Sequence, residues 1–327
     1  MSKMIISGLL VGLAFGYILQ RGRFCLNCAF RDAFFGKNFA LIRAYFLALL
    51  TQLFLVNILA EAGLLKLAAP TFFWLAAVVG GFLFGIGMVL SHGCVSAIWY
   101  RSGEGKVAAM LGVVGFASGL GLAQTGLMTT IQKALRFQAI EVNGGFTTLA
   151  NIFGINLWIA VIVVAVILGL GLRGPVVRVR GGWSWAKTGI LLGVLGVIAW
   201  IASSSSGRLY GLSGTDTTGS LFNSLLKADF SLTDWGTFMI LATPFGSFLA
   251  ARATGEFKLR IPNFKQGLRS LSGGLLMGFG AMTATGCSIG HALTGVSILA
   301  MSSITATIFI FVGVVVGNFI IDRPRSL

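Results

Sequence analysis

Long apolar stretches with very few charges recur along the whole chain. Residues 156–172, NLWIAVIVVAVILGLGL, carry no charged residue at all, and a helix needs about 20 such residues to cross a bilayer. The pattern predicts nine membrane-spanning helices, with room for shorter helices in the connections between them. Their approximate bounds are 4–19, 38–59, 72–90, 107–128, 150–172, 188–203, 235–251, 270–287 and 303–321.

The composition supports a chain that lies almost entirely in the membrane. Hydrophobic residues make up 56% of it, charged residues only 10%, and the mean hydropathy is +0.91, whereas a soluble domain has about 25% charged residues. The first apolar run is followed by Arg-Gly-Arg and not by a small-residue cleavage site, so it is expected to be retained as a helix. The sequence therefore predicts an all-α polytopic membrane protein.

The distribution of basic residues predicts an orientation. The chain has 24 Lys and Arg against 9 Asp and Glu, a net charge of +15. With nine spans, 18 of those 24 residues fall on one face of the membrane. Because cytoplasmic loops are the ones enriched in Lys and Arg, we expect the N-terminus outside and the C-terminus in the cytoplasm.

Two stretches of the chain repeat each other. GGFLFGIGMVLSHGC (80–94) and GGLLMGFGAMTATGC (273–287) align without a gap, share seven of fifteen positions and both end in cysteine. With nine spans they enter the membrane from opposite faces, which is typical of an inverted-topology repeat. One integral membrane domain is therefore expected, in three parts. These are a first half with a connecting helix (1–172), a basic cytoplasmic linker (173–187) and a second half (188–327).

A third, weaker copy is GLAFGYILQRGRFC (12–25), and the expected fourth copy is 189–207, where a serine run replaces the cysteine. Most glycines of these copies stand four residues apart, which is typical of closely packed transmembrane helices. Gly93 and Gly286 differ, because each stands beside a cysteine in a polar turn. There we expect a turn that exposes backbone amides.

Three of the four cysteines, Cys25, Cys94 and Cys287, recur at one position of the repeat. A buried thiol keeps its proton and is then a weak donor on a soft, polarizable atom, which suits a sulfur-containing anion. A soft metal such as Cu(I) is the alternative, although a basic chain favours anions. Cys25 and Cys28 form a C-x-x-C without the βαβ context of a redox motif or the second pair of a zinc site.

The elements GRFC (22–25), SHGC (91–94) and TGCSIGH (286–291) resemble the YeeE/YedE family of sulfur-compound transporters over essentially the whole chain. The resemblance implies thiosulfate uptake across the bacterial inner membrane by nine spanning helices, two related halves and shorter, partly penetrating helices. It also implies that Cys25, Cys94 and Cys287 relay the anion through S–H···S hydrogen bonds. Cys28 matches no motif position. Some relatives are linked to selenium, which leaves the substrate open.

Several neighbours of the cysteines are candidate pathway residues: Gly93, Gly286, His92, His291 and Arg23. Each histidine either packs against a carbonyl or takes part in anion binding or proton coupling, and Arg23 is close enough to Cys25 to attract an anion. No nucleotide-binding motif is present, and no cofactor, metal or nucleic acid is expected. The resemblance suggests a small single-cysteine sulfur-carrier protein as cytoplasmic partner.

Two rival functions remain open from the residues. One is a permease for sulfite, sulfide or a selenium species. The other is a membrane sulfur-transfer or redox enzyme in which the three cysteines form persulfides, which would require nucleophilic thiolates.

Overall fold

The structure is a computed structural model that describes residues 2–36, 38–124, 126–142, 147–174, 179 and 181–321. The predicted basic linker 173–187 lies in part outside the described residues. Within them every regular element is a helix, apart from three isolated bridges between loops. The prediction of an all-helical fold is confirmed.

Nine helices in the described ranges have 15 residues or more, and each overlaps one predicted span. They are α1 (Ser2–Gly22), α3 (Ala40–Glu61), α4 (Trp74–Leu90), α6 (Val107–Ala123), α9 (Leu157–Gly171), α10 (Trp185–Ser204), α12 (Trp235–Ala253), α13 (Phe264–Ala284) and α14 (Met301–Ile321). The shorter helices are α2 (Leu26–Phe34), α5 (Val95–Gly103), α7 (Gly126–Leu135), α8 (Leu149–Phe153) and α11 (Thr215–Leu226).

The number of membrane crossings is a separate question from the number of helices. By length and composition, five stretches of the described chain can cross a bilayer, or six if the bent pair α6 and α7 forms one span. Helix α9 has only 15 residues, and α13 carries Lys265 and Arg269 in its first two turns. The chain is a multi-pass membrane protein, and the nine crossings remain a prediction.

Some of the long helices begin where the sequence supplies a capping side chain, whereas α3, α4 and α6 begin without one. Ser184 accepts a hydrogen bond from the Lys187 amide at the start of α10, and Asn263 caps α13 in the same way. At α12, Asp234 and Thr237 form a reciprocal capping box. These side chains satisfy amides that have no partner inside the helix, so the boundaries are set locally.

Glycines at four-residue spacing bring pairs of helices into backbone contact. A Cβ at Gly12 of α1 would collide with the Met239 carbonyl of α12, and one at Gly85 of α4 with the Ile310 carbonyl of α14. Small residues permit this close approach of membrane helices. The predicted packing role of these glycines is confirmed.

The contact between α4 and α13, the two helices of the gapless repeat, is reciprocal. A Cβ at Gly80 would lie 2.8 Å from the Gly280 carbonyl oxygen, and one at Gly280 would lie 2.7 Å from that of Gly80. Gly87 and Gly273 face each other in the same way, at 2.8 and 2.9 Å. In the repeat, Gly80 corresponds to Gly273 and Gly87 to Gly280, so the two contacts are equivalent. A two-fold axis between two helices produces such a pair of equivalent contacts.

The other helix pairs follow the same rule. Helix α1 packs along α12 while α10 packs along α3, and α4 packs along α14 while α13 packs along α6. If spans one to four correspond to spans six to nine, the α1–α12 contact is the counterpart of the α10–α3 contact. In the same way, the α4–α14 contact is the counterpart of the α13–α6 contact. Helices α4 and α13 thus pack along each other and each along one further long helix, and both end at a cysteine motif.

Candidate functional site

Three long helices end just before a cysteine, and a short helical segment begins just after it. Cys25 is the N-cap residue of α2, and Cys94 is that of α5. Cys287 precedes the helical residues 288–297, whose turns at Gly290–Gly295 are π-helical. Each thiol therefore stands at the N-terminus of a short helix inside the protein, where the partial positive charge of the helix favours anions.

One backbone turn connects each long helix to its cysteine. The residue two positions before the cysteine is left-handed, and the amide of the next residue bonds the carbonyl five residues earlier. The left-handed residues are Arg23 (φ 51°), His92 (φ 53°) and Thr285 (φ 66°). The closing bonds run from Phe24 to Leu19 (3.0 Å), from Gly93 to Met88 (3.0 Å) and from Gly286 to Ala281 (2.9 Å). This is the Schellman closure of a helix end.

The prediction that Gly93 and Gly286 form turns with exposed backbone amides is wrong. Their amides are used in closing the helices and are not exposed, and neither glycine has a positive φ. Both positions are instead glycine because neighbouring side chains leave too little room for a Cβ atom. A Cβ at Gly286 would lie 2.7 Å from His291 Nε2, and one at Gly93 would lie 3.1 Å from Ala97 Cβ and 3.2 Å from Arg101 Nη1.

The fourth copy keeps the turn but has no cysteine. Gly207 is left-handed (φ 82°), and the Arg208 amide bonds the Ser203 carbonyl at 3.1 Å. Leu209 therefore stands where the other copies have cysteine. The prediction that the serine run takes this place is wrong, because those hydroxyls bond carbonyls near the end of α10, as Ser205 does to Ala202 at 2.7 Å.

Cys25 and Cys94 lie together with Cys28. Cys25 and Cys94 are fully buried, and the Cys25 side chain interacts with those of both Cys28 and Cys94. Cys94 Sγ also lies 3.2 Å from the Ser96 hydroxyl. Although Cys28 occupies no repeat position, the first turn of α2 places it beside this pair, and it is partly exposed.

Cys287 lines the same cavity as Ser96, and two backbone amides contact its sulfur. Its Sγ accepts hydrogen bonds from the Gly214 amide at 3.2 Å and from the Gly290 amide at 3.4 Å. Gly214 is the N-cap residue of α11, so the N-termini of two helical segments meet at this sulfur.

A small cavity lies between Cys287 and Ser96. Its volume is about 10 Å³, and Ser96, Gly214 and Cys287 are among the residues that line it. That volume holds at most one water molecule. The space beside Cys287 is therefore closed to a larger ion, and Ser96, which lines it, also lies 3.2 Å from Cys94 Sγ.

The two histidines have different surroundings. His291 is fully buried, with Nδ1 3.0 Å from the Ser303 hydroxyl and Nε2 3.0 Å from the Ala284 carbonyl. The carbonyl requires a proton on Nε2, so the neutral ring uses both nitrogens to hold the turn. His92 is exposed, and its carbonyl accepts a bond from Arg101 Nη1 at 2.6 Å.

Arg23 belongs to an ion-pair network. Its guanidinium contacts Glu104 at 3.2 Å and Glu256 at 2.7 Å, and Lys106 contacts Glu104 at 2.7 Å. These residues line a cavity of about 220 Å³ together with Gly255, Lys258 and Arg260. We call this end of the molecule the basic face. Its grouping agrees with the assignment of these cations to one side of the membrane.

Glu256 shows the electrostatics of the basic face. Partial burial alone would raise the pKa of its carboxyl, but the Gln20 hydrogen bond and the Arg23 charge outweigh burial and lower the pKa. The Glu256 carboxyl therefore stays charged near neutral pH, in contact with the Arg23 guanidinium. In the described ranges no group of three or more His, Cys, Asp or Glu side chains is arranged to hold a metal ion.

Sequence reasoning missed three groups around the thiols. Ser96 follows a motif cysteine by two residues and Arg101 by seven, so both could have been placed from the helical repeat of α5. The amide of Gly214 carries no sequence signal, because it reaches Cys287 only through tertiary packing.

Comparison with known proteins identifies the family. The profile of the family described as Sulphur transport matches residues 21–316. The chain belongs to the Sulphur transport family. Within it, the chain is 33% identical to the thiosulfate transporter TsuA of Escherichia coli (strain K12) over 345 residues, covering 99% of this chain and 97% of the relative. It is 36% identical to TsuA of Spirochaeta thermophila over 321 residues, covering 95% and 97%.

A shorter match is consistent with these. The chain is 32% identical over 101 residues to the probable transporter YedE of Salmonella typhimurium, covering 30% of this chain and 24% of that protein. Membership of the Sulphur transport family confirms the YeeE/YedE resemblance. The chain is a membrane transporter and not an enzyme, which removes the persulfide enzyme from the rival functions.

Proposed function

We propose that this protein imports thiosulfate across the bacterial inner membrane and passes it along Cys287, Cys94 and Cys25. The observation that carries the proposal is the placement of these three fully buried thiols, each at the start of a short helical segment, with Ser96 beside both Cys94 and the cavity at Cys287. The full-length similarity to two thiosulfate transporters supports the choice of ion.

The chemistry of the three thiols suits an anion with a terminal sulfur. A protonated thiol donates weakly and is polarizable, so it can hydrogen-bond a soft sulfur atom without holding it tightly. The amides that face Cys287 and the helix N-termini behind each thiol add partial positive charge. Full positive charges are absent from the immediate contacts of Cys287 in the described chain, so the anion is not trapped there.

Transport in this scheme requires movement of the helices. The cavity of about 10 Å³ between Cys287 and Ser96 is smaller than a sulfur oxyanion. In the proposed opening, the segments that begin at Val95 and Thr215 move apart, because Ser96 and Gly214 line the cavity. The proposed pathway is therefore occluded in the centre at rest.

The energetics require a sink or a coupled ion. Moving a dianion inward against about 100 mV costs about 4.6 kcal/mol, at 2.3 kcal/mol per charge. Neutral thiols supply none of this. We propose that the cytoplasm consumes the ion, through a small single-cysteine sulfur-carrier protein that binds at the basic face.

The proposed topology has nine crossings in two inverted halves, residues 1–172 and 188–327, joined by the linker 173–187. The reciprocal contacts of α4 with α13 support it. The N-terminus lies outside and the C-terminus inside, which places the basic face in the cytoplasm.

Uptake into proteoliposomes tests the substrate. Thiosulfate is supplied with its two sulfur atoms labelled separately, and unlabelled sulfite, sulfide and selenite are added as competitors. The proposal expects both labels to enter together and thiosulfate to compete best. Efficient competition by a selenium or another sulfur species, with little thiosulfate uptake, would favour the rival permease.

A further inference from the structure

Arg101 lies beside Cys28, next to the buried thiols of Cys25 and Cys94. It stands in the last turn of α5 and is half-buried. Its Nη2 lies 3.7 Å from Cys28 Sγ, its Nη1 donates to the His92 carbonyl at 2.6 Å, and its Nε contacts the Tyr100 hydroxyl at 3.3 Å. The guanidinium is thus fixed against a thiol by neutral groups.

Arg101 differs from the neighbouring cations in having no acidic partner among the described residues. Arg23 and Lys106 are paired with Glu104, and Arg31 is paired with Asp32. The Arg101 charge reaches Cys28 and also Cys25. A half-buried cation without a counter-ion attracts an anion more strongly than one that is already neutralised.

The guanidinium also has donors to spare. Of its five N–H groups, three are accounted for by Tyr100, His92 and Cys28, which leaves one on each terminal nitrogen. Two such donors form the fork that binds two oxygens of an oxyanion. Gly93 leaves room for this head group, because a Cβ there would lie 3.2 Å from Nη1.

We infer that Arg101, beside Cys28, is a binding residue for the oxygen-bearing end of the transported anion where it leaves Cys25. The thiols hold the terminal sulfur and Arg101 holds the sulfonate-type oxygens. The identity of the transported ion rests on the proposed function. The site itself takes any small tetrahedral sulfur oxyanion, including sulfate, which has no terminal sulfur.

Protection of Cys28 from alkylation tests this binding without transport. Cys28 is partly exposed, whereas the other three cysteines are buried, so a water-soluble maleimide should label Cys28 first. Labelling of the purified protein is followed by peptide mass spectrometry in sodium sulfate and in sodium chloride of equal ionic strength. Rates are compared as a ratio within each variant, because the Arg101 charge itself affects the thiol.

Sulfate should slow labelling of Cys28 in the wild type and in Arg31→Met, a matched control that removes a cation of α2 from the same end of the molecule. It should give no protection in Arg101→Met. Equal protection in Arg101→Met, or none in the wild type, would overturn the inference.

Transport kinetics separate binding from a structural role. Loss of charge-assisted hydrogen bonds predicts that Arg101→Met raises the KM for thiosulfate by about 10- to 100-fold. Arg101→Lys, which keeps the charge but not the fork, should be intermediate. A merely structural Arg101 would lower the maximal rate and the melting temperature without rescue by lysine.

The two proposals fail in different ways. Wild-type protein that takes up thiosulfate with a KM unchanged in Arg101→Met contradicts the site but leaves the function standing. Wild-type protein that takes up no thiosulfate, while sulfate still protects Cys28, contradicts the function but leaves the site standing.

Discussion

Replacing Gly286 by alanine tests whether the turn before Cys287 is set by space. The new Cβ would lie 2.7 Å from His291 Nε2, whereas non-bonded heavy atoms of this kind prefer about 3.5 Å. The φ of Gly286 is not positive, so alanine meets no backbone strain there. The ring must therefore move by about 0.8 Å.

That movement determines the expected cost. The His291 ring bonds the Ser303 hydroxyl and the Ala284 carbonyl, each at 3.0 Å, and a shift of this size breaks at least one of the two bonds. A buried group left without its partner costs about 1–3 kcal/mol, and overpacking adds about 1–3 kcal/mol. We expect Gly286→Ala to lower the free energy of unfolding by about 2–6 kcal/mol.

The assay is unfolding in mixed micelles, followed by tryptophan fluorescence. Gly219→Ala in α11 is the matched control, because a Cβ there meets nothing within 4 Å, and alanine should stabilise the helix by up to about 1 kcal/mol. In a His291→Ala background, Gly286→Ala should cost less than about 1 kcal/mol, because the ring is gone. An equal cost in both backgrounds would refute the steric explanation.

Three further predictions concern packing, charge and exposure. Gly12→Val should abolish stable folding or lower the melting temperature sharply, because the new side chain meets the Met239 carbonyl. The control Gly169→Val should be tolerated, because a Cβ there meets nothing within 4 Å. Equal melting temperatures of the two variants would refute close packing of α1 on α12. Because the pKa of Glu256 is lowered in the folded protein, its contribution to stability is complete above the ordinary carboxylate pKa of about 4.3 and is lost as the pH falls through the lower folded value. The wild-type melting temperature should therefore drop more steeply than that of Glu256→Gln over this range, and parallel curves would contradict the ion pair with Arg23. Maleimide should label Cys28 faster than Cys25, Cys94 and Cys287, which are fully buried; comparable labelling of Cys94 would show that the centre is open at rest.

Much of the fold could be predicted because the bilayer imposes simple rules. A spanning helix must be long and apolar, so hydropathy located all nine long helices. Close packing of membrane helices requires small residues, so the four-residue spacing of glycines such as Gly81 and Gly85 predicted helix contacts. It did not predict that α4 and α13 meet through Gly80, Gly87, Gly273 and Gly280. The repeated cysteine position was visible for the same reason, since it follows those glycines at a fixed distance.

The details of the site depended on tertiary packing and could not be predicted in this way. The left-handed residues of the turns are Arg23, His92 and Thr285 and not glycine, because helix closure there tolerates them. The contact between the Gly214 amide and Cys287 joins residues 73 positions apart. The serine run was expected at the position of the cysteine, but the turn at Gly207 places Leu209 there. The serine hydroxyls instead bond carbonyls near the end of α10, as hydroxyls close to a helix end commonly do.

The most direct test of the account is thiosulfate uptake by single-cysteine variants in proteoliposomes. Cys25→Ala, Cys94→Ala and Cys287→Ala are compared with Cys28→Ala, a removal of the same thiol group away from the repeat position, and with Cys94→Ser, which keeps a hydroxyl donor. The account predicts that the three repeat-position alanine variants lose uptake while remaining folded. Cys28→Ala should retain uptake and Cys94→Ser should retain a part of it. Normal uptake by Cys94→Ala or Cys287→Ala would contradict a relay through the thiols.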